Sequence, residues 1–246
     1  MPEGPSIVLA KEALYRFKGK KILKAGGYDK LDKSILKNKT VRDITTWGKH
    51  LLIVLDKKLA IRIHFMLFGS YLINDHSKKA NPKLSLIFKE GEINFYVSQI
   101  ALIQQDLDEV YDWSADVMSK SWSVTKAREK IAEKPTRLLC DVLMDQHIFS
   151  GVGNIIKNEL MFRAKLHPEN TMANIPKARI TYLIRDAARF SKDFYKWKKA
   201  GTLMKHCGIY KQEYCTNCGG EVTVKDAGKS KRRNYYCEHC QIKYHS

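Results

Sequence analysis

Apolar side chains recur at Ile7, Ala10, Leu14 and Phe17, three or four residues apart, and Gly19 follows them. One apolar stripe with a glycine stop predicts a short helix over residues 6–18. From about residue 20 to residue 104 the period shortens, with β-type runs at 41–47, 50–55, 59–67, 71–73, 84–88 and 93–97. Turn-forming pieces separate them, among them Gly48-Lys49, Asp56-Lys57-Lys58 and Lys89-Glu90-Gly91-Glu92. Many short strands at this spacing predict a β-sandwich. A polar stretch over 104–122 leads into helical periodicity at about 123–133, 136–146, 154–164 and 177–199. The last 36 or so residues are rich in Gly, Lys and Cys and too few to hold a core without a staple. The expected fold is α+β: an N-terminal helix and a two-layer β-sandwich over 1–120, a helical domain over 121–205, and a C-terminal β-hairpin ribbon over 206–246.

Charge narrows the partner. The 246 residues carry 44 Lys+Arg against 26 Asp+Glu, a formal net charge of +18. With 44% hydrophobic residues the chain builds a core, so this is not a disordered basic tail. The surplus is uneven: 20 basic against 14 acidic residues in 1–120, and 24 against 12 in 121–246. Self-repulsion of this size is the usual accompaniment of a polyanionic partner. No apolar run approaches the roughly 20 residues of a membrane span, and no leader is read at the start, so an intracellular nucleic-acid partner is expected. A merely solubilising surface is the plainer alternative. Phe190, Phe194, Tyr195 and Trp197 stand among the lysines of 177–199, and core packing explains them more simply than base stacking.

Cys215-x2-Cys218 and Cys237-x2-Cys240 have the spacing of a four-cysteine zinc ribbon. Gly219-Gly220 supplies the backbone freedom a knuckle needs. Two disulfides, or His239 or His245 as ligands, are the alternatives; Cys140 and Cys207 have no partner at metal spacing and are expected as buried thiols. Lys229, Lys231, Arg232 and Arg233 lie between the two cysteine pairs, placed to meet DNA if the ribbon is more than a staple.

The segment Ser150-Gly151-Val152-Gly153-Asn154 puts a glycine-rich turn before a helix. Free N–H groups at such a start bind phosphate, and Asn154 either caps the helix or donates its amide. A plain helix–turn–helix connection is an equal reading of these residues alone.

Met-Pro2-Glu3-Gly4-Pro5, Trp47-Gly48-Lys49-His50, Arg62-Ile63-His64 with 65–69 after it, Asp145-Gln146 through Asn154 and Glu159, Arg163 with His167-Pro168, and the ribbon closing on Cys240-Gln241 follow one another in order along nearly the whole chain. This series resembles the formamidopyrimidine-DNA glycosylase/endonuclease VIII family of base-excision repair enzymes. The resemblance implies a helix–two-turn–helix motif in the helical domain, one structural zinc ion and no organic cofactor. It implies a bifunctional DNA glycosylase/AP lyase that acts as a monomer on damaged double-stranded or abasic-site DNA, in the cytoplasm or nucleoid if the source is bacterial.

By that resemblance, loss of Met1 leaves Pro2 as a secondary-amine nucleophile that forms a Schiff base with the sugar and cleaves the strand by β,δ-elimination. Glu3 transfers protons, and Lys49 contacts phosphate and assists catalysis. Asn154 and Arg232 hold phosphates; Arg232 stands five residues before Cys237, and Arg233 is the substitute if the register slips. Met66, Leu67 and Phe68 match the residues that fill the gap left by an everted nucleotide, though a strand end packed into the core is their plain reading. Ser6 stands where the family usually has an acid. Gly4 and the short link before Cys215 tilt the likeness towards the endonuclease VIII branch, which favours oxidised pyrimidines. A catalytically altered damaged-DNA-binding protein and a zinc-ribbon RNA-binding protein are the rivals.

Overall fold

A computed structural model describes residues 2–229 and 231–245. The chain forms two compact units, Met1–Tyr111 and Asp112–Ser246, so the expected limit at residue 120 falls inside the second, which also contains the ribbon.

In the first unit helix α1 spans Gly4–Leu14. Glu3 holds the extended cap position, its carbonyl accepting the Ser6 and Ile7 N–H groups, and Pro5 sits in the first turn, where no N–H is needed. Ile7, Ala10 and Leu14 are buried, as their spacing requires. Six antiparallel strands follow: β1 (Lys24–Gly26), β2 (Asp43–Trp47), β3 (His50–Asp56), β4 (Leu59–Ile73), β5 (Leu84–Phe88) and β6 (Gly91–Ile103), in the order β1-β5-β6-β4-β3-β2.

The runs at 59–67 and 71–73 belong to one strand, β4. Its pairing with β6 passes from Phe65↔Ser98 to Ser70↔Tyr96, so four residues of β4 oppose Val97 alone. β3 pairs with the part of β4 before this break, and β5 with the part of β6 facing the segment after it. Leu51, Ile53, Ile61 and Ile63 from one part and Leu84, Leu86, Ile93 and Phe95 from the other join Ile7 and Leu14 in one core. The two-layer sandwich is thus a single hydrogen-bonded sheet folded over at the break. A one-turn helix, α2 (Leu107–Val110), follows it.

The second unit contains α3 (Val124–Ala132), α4 (Leu139–Val142), α5 (Asn154–Arg163), α6 (Lys177–Lys199) and the hairpin β7 (Thr223–Ala227) and β8 (Arg232–Tyr236). Helix α6 matches the expected 177–199; Phe190 and Phe194 are buried along it, and Trp197 stacks on His206. The helix expected over 136–146 shrinks to α4. Leu138 bridges Thr171 and the Arg137 carbonyl accepts the Met172 N–H, which holds 137–138 extended; the chain then turns again where Ile148 and Phe149 donate to the Asp145 carbonyl. These consecutive turns separate α4 from α5. Among the described residues no helix is long and apolar enough to cross a membrane.

Candidate functional site

Pro2 lines a pocket of about 360 Å³ with Ser6, Ile7, Ala10, Phe65, Gly69, Ser70 and Tyr71. Helix α1 supplies one wall and the break in β4 the other. Phe65 and Gly69 bracket Met66, Leu67 and Phe68, so the fold brings the candidate nucleophile and the candidate wedge to one place. The wedge residues do not pack into the core: Met66 is 37%, Leu67 57% and Phe68 78% exposed. Three consecutive apolar side chains thus stay exposed on an irregular strand segment. Gly69 is required for the break, because a Cβ there would fall 2.7 Å from the Val97 carbonyl oxygen. Val97 itself adopts φ +45, a conformation rare for a β-branched residue, and is exposed. Glu3, beside Pro2, is buried at the positive end of α1.

Lys49 occupies the two-residue turn between β2 and β3, closed by the Trp47↔His50 pair. Gly48 takes φ +52 while Lys49 keeps a negative φ, the II′ pattern that suits a twisted hairpin. Lys49 is buried. Around it stand His50, whose Nδ1 lies 3.1 Å from the Tyr111 hydroxyl, and His64, whose ring centroid is 5.3 Å from that of His50. Burial, followed by the charges of Arg62, His64 and Lys49, pushes His50 down to about 4. His64 is also lowered, chiefly by burial and against a hydrogen bond to Gln99. Both imidazoles are therefore neutral near pH 7. Tyr111 and Tyr71 were not legible as site residues. Tyr111 lies in the polar stretch after the sheet, and only the folded chain brings it against Trp47, at 4.9 Å between ring centroids.

In the second unit Gln146 braces the glycine turn. Its amide donates to the Met144 and Val152 carbonyls, and its oxygen accepts the Gly151 N–H. Gly151 adopts φ +96, and Gly153 caps α5 without a side chain, leaving Asn154 as the first helical residue. The Asn154 carboxamide oxygen is buried without a hydrogen-bond partner.

The sulfurs of Cys215, Cys218, Cys237 and Cys240 all lie within 4.8 Å of one another. Cys215–Cys240 is 3.8 Å and Cys218–Cys237 3.5 Å. Tetrahedral Zn–S bonds of ~2.3 Å place sulfurs ~3.8 Å apart, so the set fits one shared ion. Asn217 Nδ2 donates to Cys240 Sγ at 3.1 Å; the Gly220 N–H lowers the Cys218 thiol to about 7, whereas burial pushes Cys237 up to about 12. Cys140 and Cys207 are buried free thiols. On β8, strand alternation puts Arg232 on the face that carries buried Asn234 and Arg233 on the other, where its Nε lies 4.0 Å from Asp226 Oδ1.

An N-terminal helix against a folded-over sheet, a helical unit with consecutive turns, and a four-cysteine hairpin form the fold of the formamidopyrimidine-DNA glycosylases. A crystal structure of that enzyme from Lactococcus lactis, non-covalently bound to DNA containing an AP site, superposes with a TM-score of 0.85 over 98% of this chain and 100% of that one, at 21% identity. A viral DNA glycosylase superposes with a TM-score of 0.83 over the same shares, also at 21% identity. The family described as the formamidopyrimidine-DNA glycosylase N-terminal domain matches residues 1–100, and the formamidopyrimidine-DNA glycosylase H2TH domain matches 114–203. The chain belongs to the formamidopyrimidine-DNA glycosylase/endonuclease VIII family. Its curated relatives include endonuclease 8-like 3 of Mus musculus, 35% identical over 208 residues, which are 80% of this chain and 34% of the relative. Endonuclease 8-like 2 of Bos taurus is 33% identical over 198 residues, 74% of this chain and 58% of that one. The chain thus spans about a third of the length of the first of these relatives and under two thirds of the second.

Proposed function

We propose that this protein is a DNA glycosylase and AP lyase that removes oxidised bases, pyrimidines foremost, from duplex DNA. The observation that carries the reading is the pocket lined by Pro2 and flanked by exposed Met66, Leu67 and Phe68 in a chain of this family. With Met1 removed, the Pro2 nitrogen is a secondary amine whose pKa stands near that of an α-amino group, roughly 8, so an appreciable fraction is nucleophilic at neutral pH. It attacks the sugar C1′, the C1′–N bond breaks, and the base leaves with a proton. The sugar ring then opens, the C1′–O4′ bond breaking as O4′ takes a proton, and the iminium so formed draws electrons from the C2′–H bond. Loss of that proton expels the 3′ phosphate, a second elimination expels the 5′ phosphate, and hydrolysis frees Pro2. Buried Glu3 is the proton-transfer group.

Lys49, in the turn next to His50, is the proposed phosphate contact on the first unit. Asn154 and Arg232 take further phosphates, with Arg232 preferred over Arg233 because Asp226 faces the latter. One structural zinc ion held by the four cysteines supports the ribbon, and the protein acts as a monomer. Ser6 on the Pro2 pocket favours a second reading, a lesion-binding protein that has lost turnover.

Borohydride with abasic-site duplex separates the two. A covalent adduct is expected, and Glu3→Gln is expected to slow base release by about 10²- to 10⁴-fold. Lesion binding without any adduct would leave the second reading standing. A panel of oxidised pyrimidine, oxidised purine and abasic duplexes tests the substrate class.

A further inference from the structure

Helix α5, which begins at Asn154, also carries Lys157 and Asn158, both fully buried. Neither residue belongs to the chemistry above. Lys157 Nζ donates to Asn234 Oδ1 at 2.6 Å and to the Arg233 carbonyl at 3.3 Å. Asn158 Nδ2 donates to the Asn154 carbonyl at 2.7 Å and reaches the Arg233 carbonyl at 3.5 Å, while its oxygen accepts the Tyr235 N–H at 2.9 Å. Asn234 in turn donates to the Arg232 carbonyl at 3.0 Å. Both peptide groups of the Arg232-Arg233-Asn234 segment are therefore held by α5, directly or through Asn234.

The hairpin is pinned a second time near its tip. Both Asp141 carboxylate oxygens accept the Lys229 N–H, at 3.0 and 3.1 Å, and a Cβ on Gly228 would fall 2.4 Å from Asp141 Oδ1. Gly228, at φ +77, is what lets the hairpin come this close. A ribbon secured only by its metal would pivot about the knuckles. Here the strand bearing the arginines is tied through side chains to the helix that starts at Asn154, 78 residues earlier. A buried ammonium is costly to desolvate, so its use to hold two acceptors on β8 is not explained by stability alone.

We infer that Lys157 and Asn158 are positioning residues that fix Arg232 relative to Asn154, so that the two bind DNA phosphates as one rigid pair. The inference rests on the phosphate role proposed for Arg232. Fixing the strand removes the freedom the arginine would otherwise lose on binding.

The test measures affinity for a duplex carrying a stable abasic-site analogue across a range of salt. Arg232→Ala should lower the slope of log K against log[salt] by about 0.9, the loss of one phosphate contact. Lys157→Met should lower it by a similar amount and weaken binding about tenfold, although buried Lys157 cannot itself reach a phosphate. The double variant should bind no worse than Arg232→Ala alone. An unchanged slope in Lys157→Met, or losses that multiply in the double variant, would overturn the inference.

Asn234→Ala carries the same test if Lys157→Met loses its zinc. Loss of zinc by both would show that the clamp holds the ribbon's fold and not the arginine's aim, which also overturns it. The binding readout needs no turnover. Wild-type protein that binds but traps no adduct removes the lyase reading and leaves the clamp under test, whereas wild type that does not bind the duplex removes both.

Discussion

Twenty apolar residues from Ile7 to Phe95 form the core of the first unit, whereas the core around the ribbon buries only Ile209, Cys215, Val222, Tyr235 and Cys237, two of them candidate metal ligands. The sandwich is held by hydrophobic burial between the layers of one folded sheet, which leaves its break exposed. The ribbon has too little apolar surface to do the same. It relies on four sulfurs, on Lys157, Asn158 and Asp141, and on Glu159, whose carboxylate accepts the Gly208, Ile209 and Tyr210 N–H groups. The same division applies to function. The proposed reacting groups sit on the sandwich, and Arg232, a proposed phosphate contact, sits on the ribbon tied by polar links and by its cysteines.

Removing the zinc proposed for the four cysteines tests this contrast most severely. Structural zinc contributes on the order of 10–16 kcal/mol to folding of such modules. Chelation or Cys237→Ser should release one zinc per chain, unfold the ribbon and abolish duplex binding, while the thermal transition of the sandwich stays where it was. A sandwich that melts with the ribbon would break the comparison, and a Cys237→Ser protein that still binds DNA would remove the ribbon's proposed role.

Gly69→Ala attacks the first unit at its break. The new Cβ meets the Val97 carbonyl at 2.7 Å and the Met66 nitrogen at 2.8 Å, both backbone atoms. A loss of about 1–3 kcal/mol is expected in denaturant unfolding. An unchanged midpoint would mean that the break can relax and is not fixed by packing.

Acid should weaken the same unit through His50. Its folded pKa of about 4 lies below the ordinary 6.5, so the unfolded chain takes up the proton first. The stability tied to the neutral ring is complete above about pH 6.5 and is lost as pH falls towards 4, by at most about 1.4 kcal/mol per pH unit. His50→Gln should flatten the difference in unfolding midpoint between pH 7 and pH 5. An equal difference in both proteins would place the acid sensitivity elsewhere.

The smallest effect on stability is expected where a functional one is sought. Phe68→Ala removes a side chain that is 78% exposed, so stability should stay within about 0.5 kcal/mol. Preference for lesion duplex over undamaged duplex should nevertheless fall. A large drop in melting temperature would return Phe68 to the core, as the plainer reading of this triplet had it.

Periodicity alone located α1, α3, α5 and α6, because each has an apolar stripe and a clear boundary, as with Ser123, which caps α3 through a bond to the Lys126 N–H. It overextended α4, since nothing local announces that Arg137 and Leu138 pair with the segment around Thr171. It divided β4 in two for a related reason. The interruption at 68–70 looks like a strand end in sequence, whereas the paired β6 continues opposite the break at 66–69.

The residues of the proposed chemistry were legible for a different reason. Pro2, Glu3, Lys49, Asn154 and the four cysteines stand in short motifs whose order matches a family, and the cysteine spacing matches that of a four-cysteine metal site.

What the sequence determined by itself was therefore local: helical stripes, turn residues, metal spacing and a net charge of +18 suited to a polyanion. Tertiary structure decided what lies far apart in the chain. It set Ser70 and Tyr71 beside Pro2, brought Tyr111 to His50, left Met66 to Phe68 exposed, and tied β8 to α5 through a buried lysine. These contacts depend on strand register and on satisfying buried polar groups at a distance, and neither is written in the spacing of neighbouring residues.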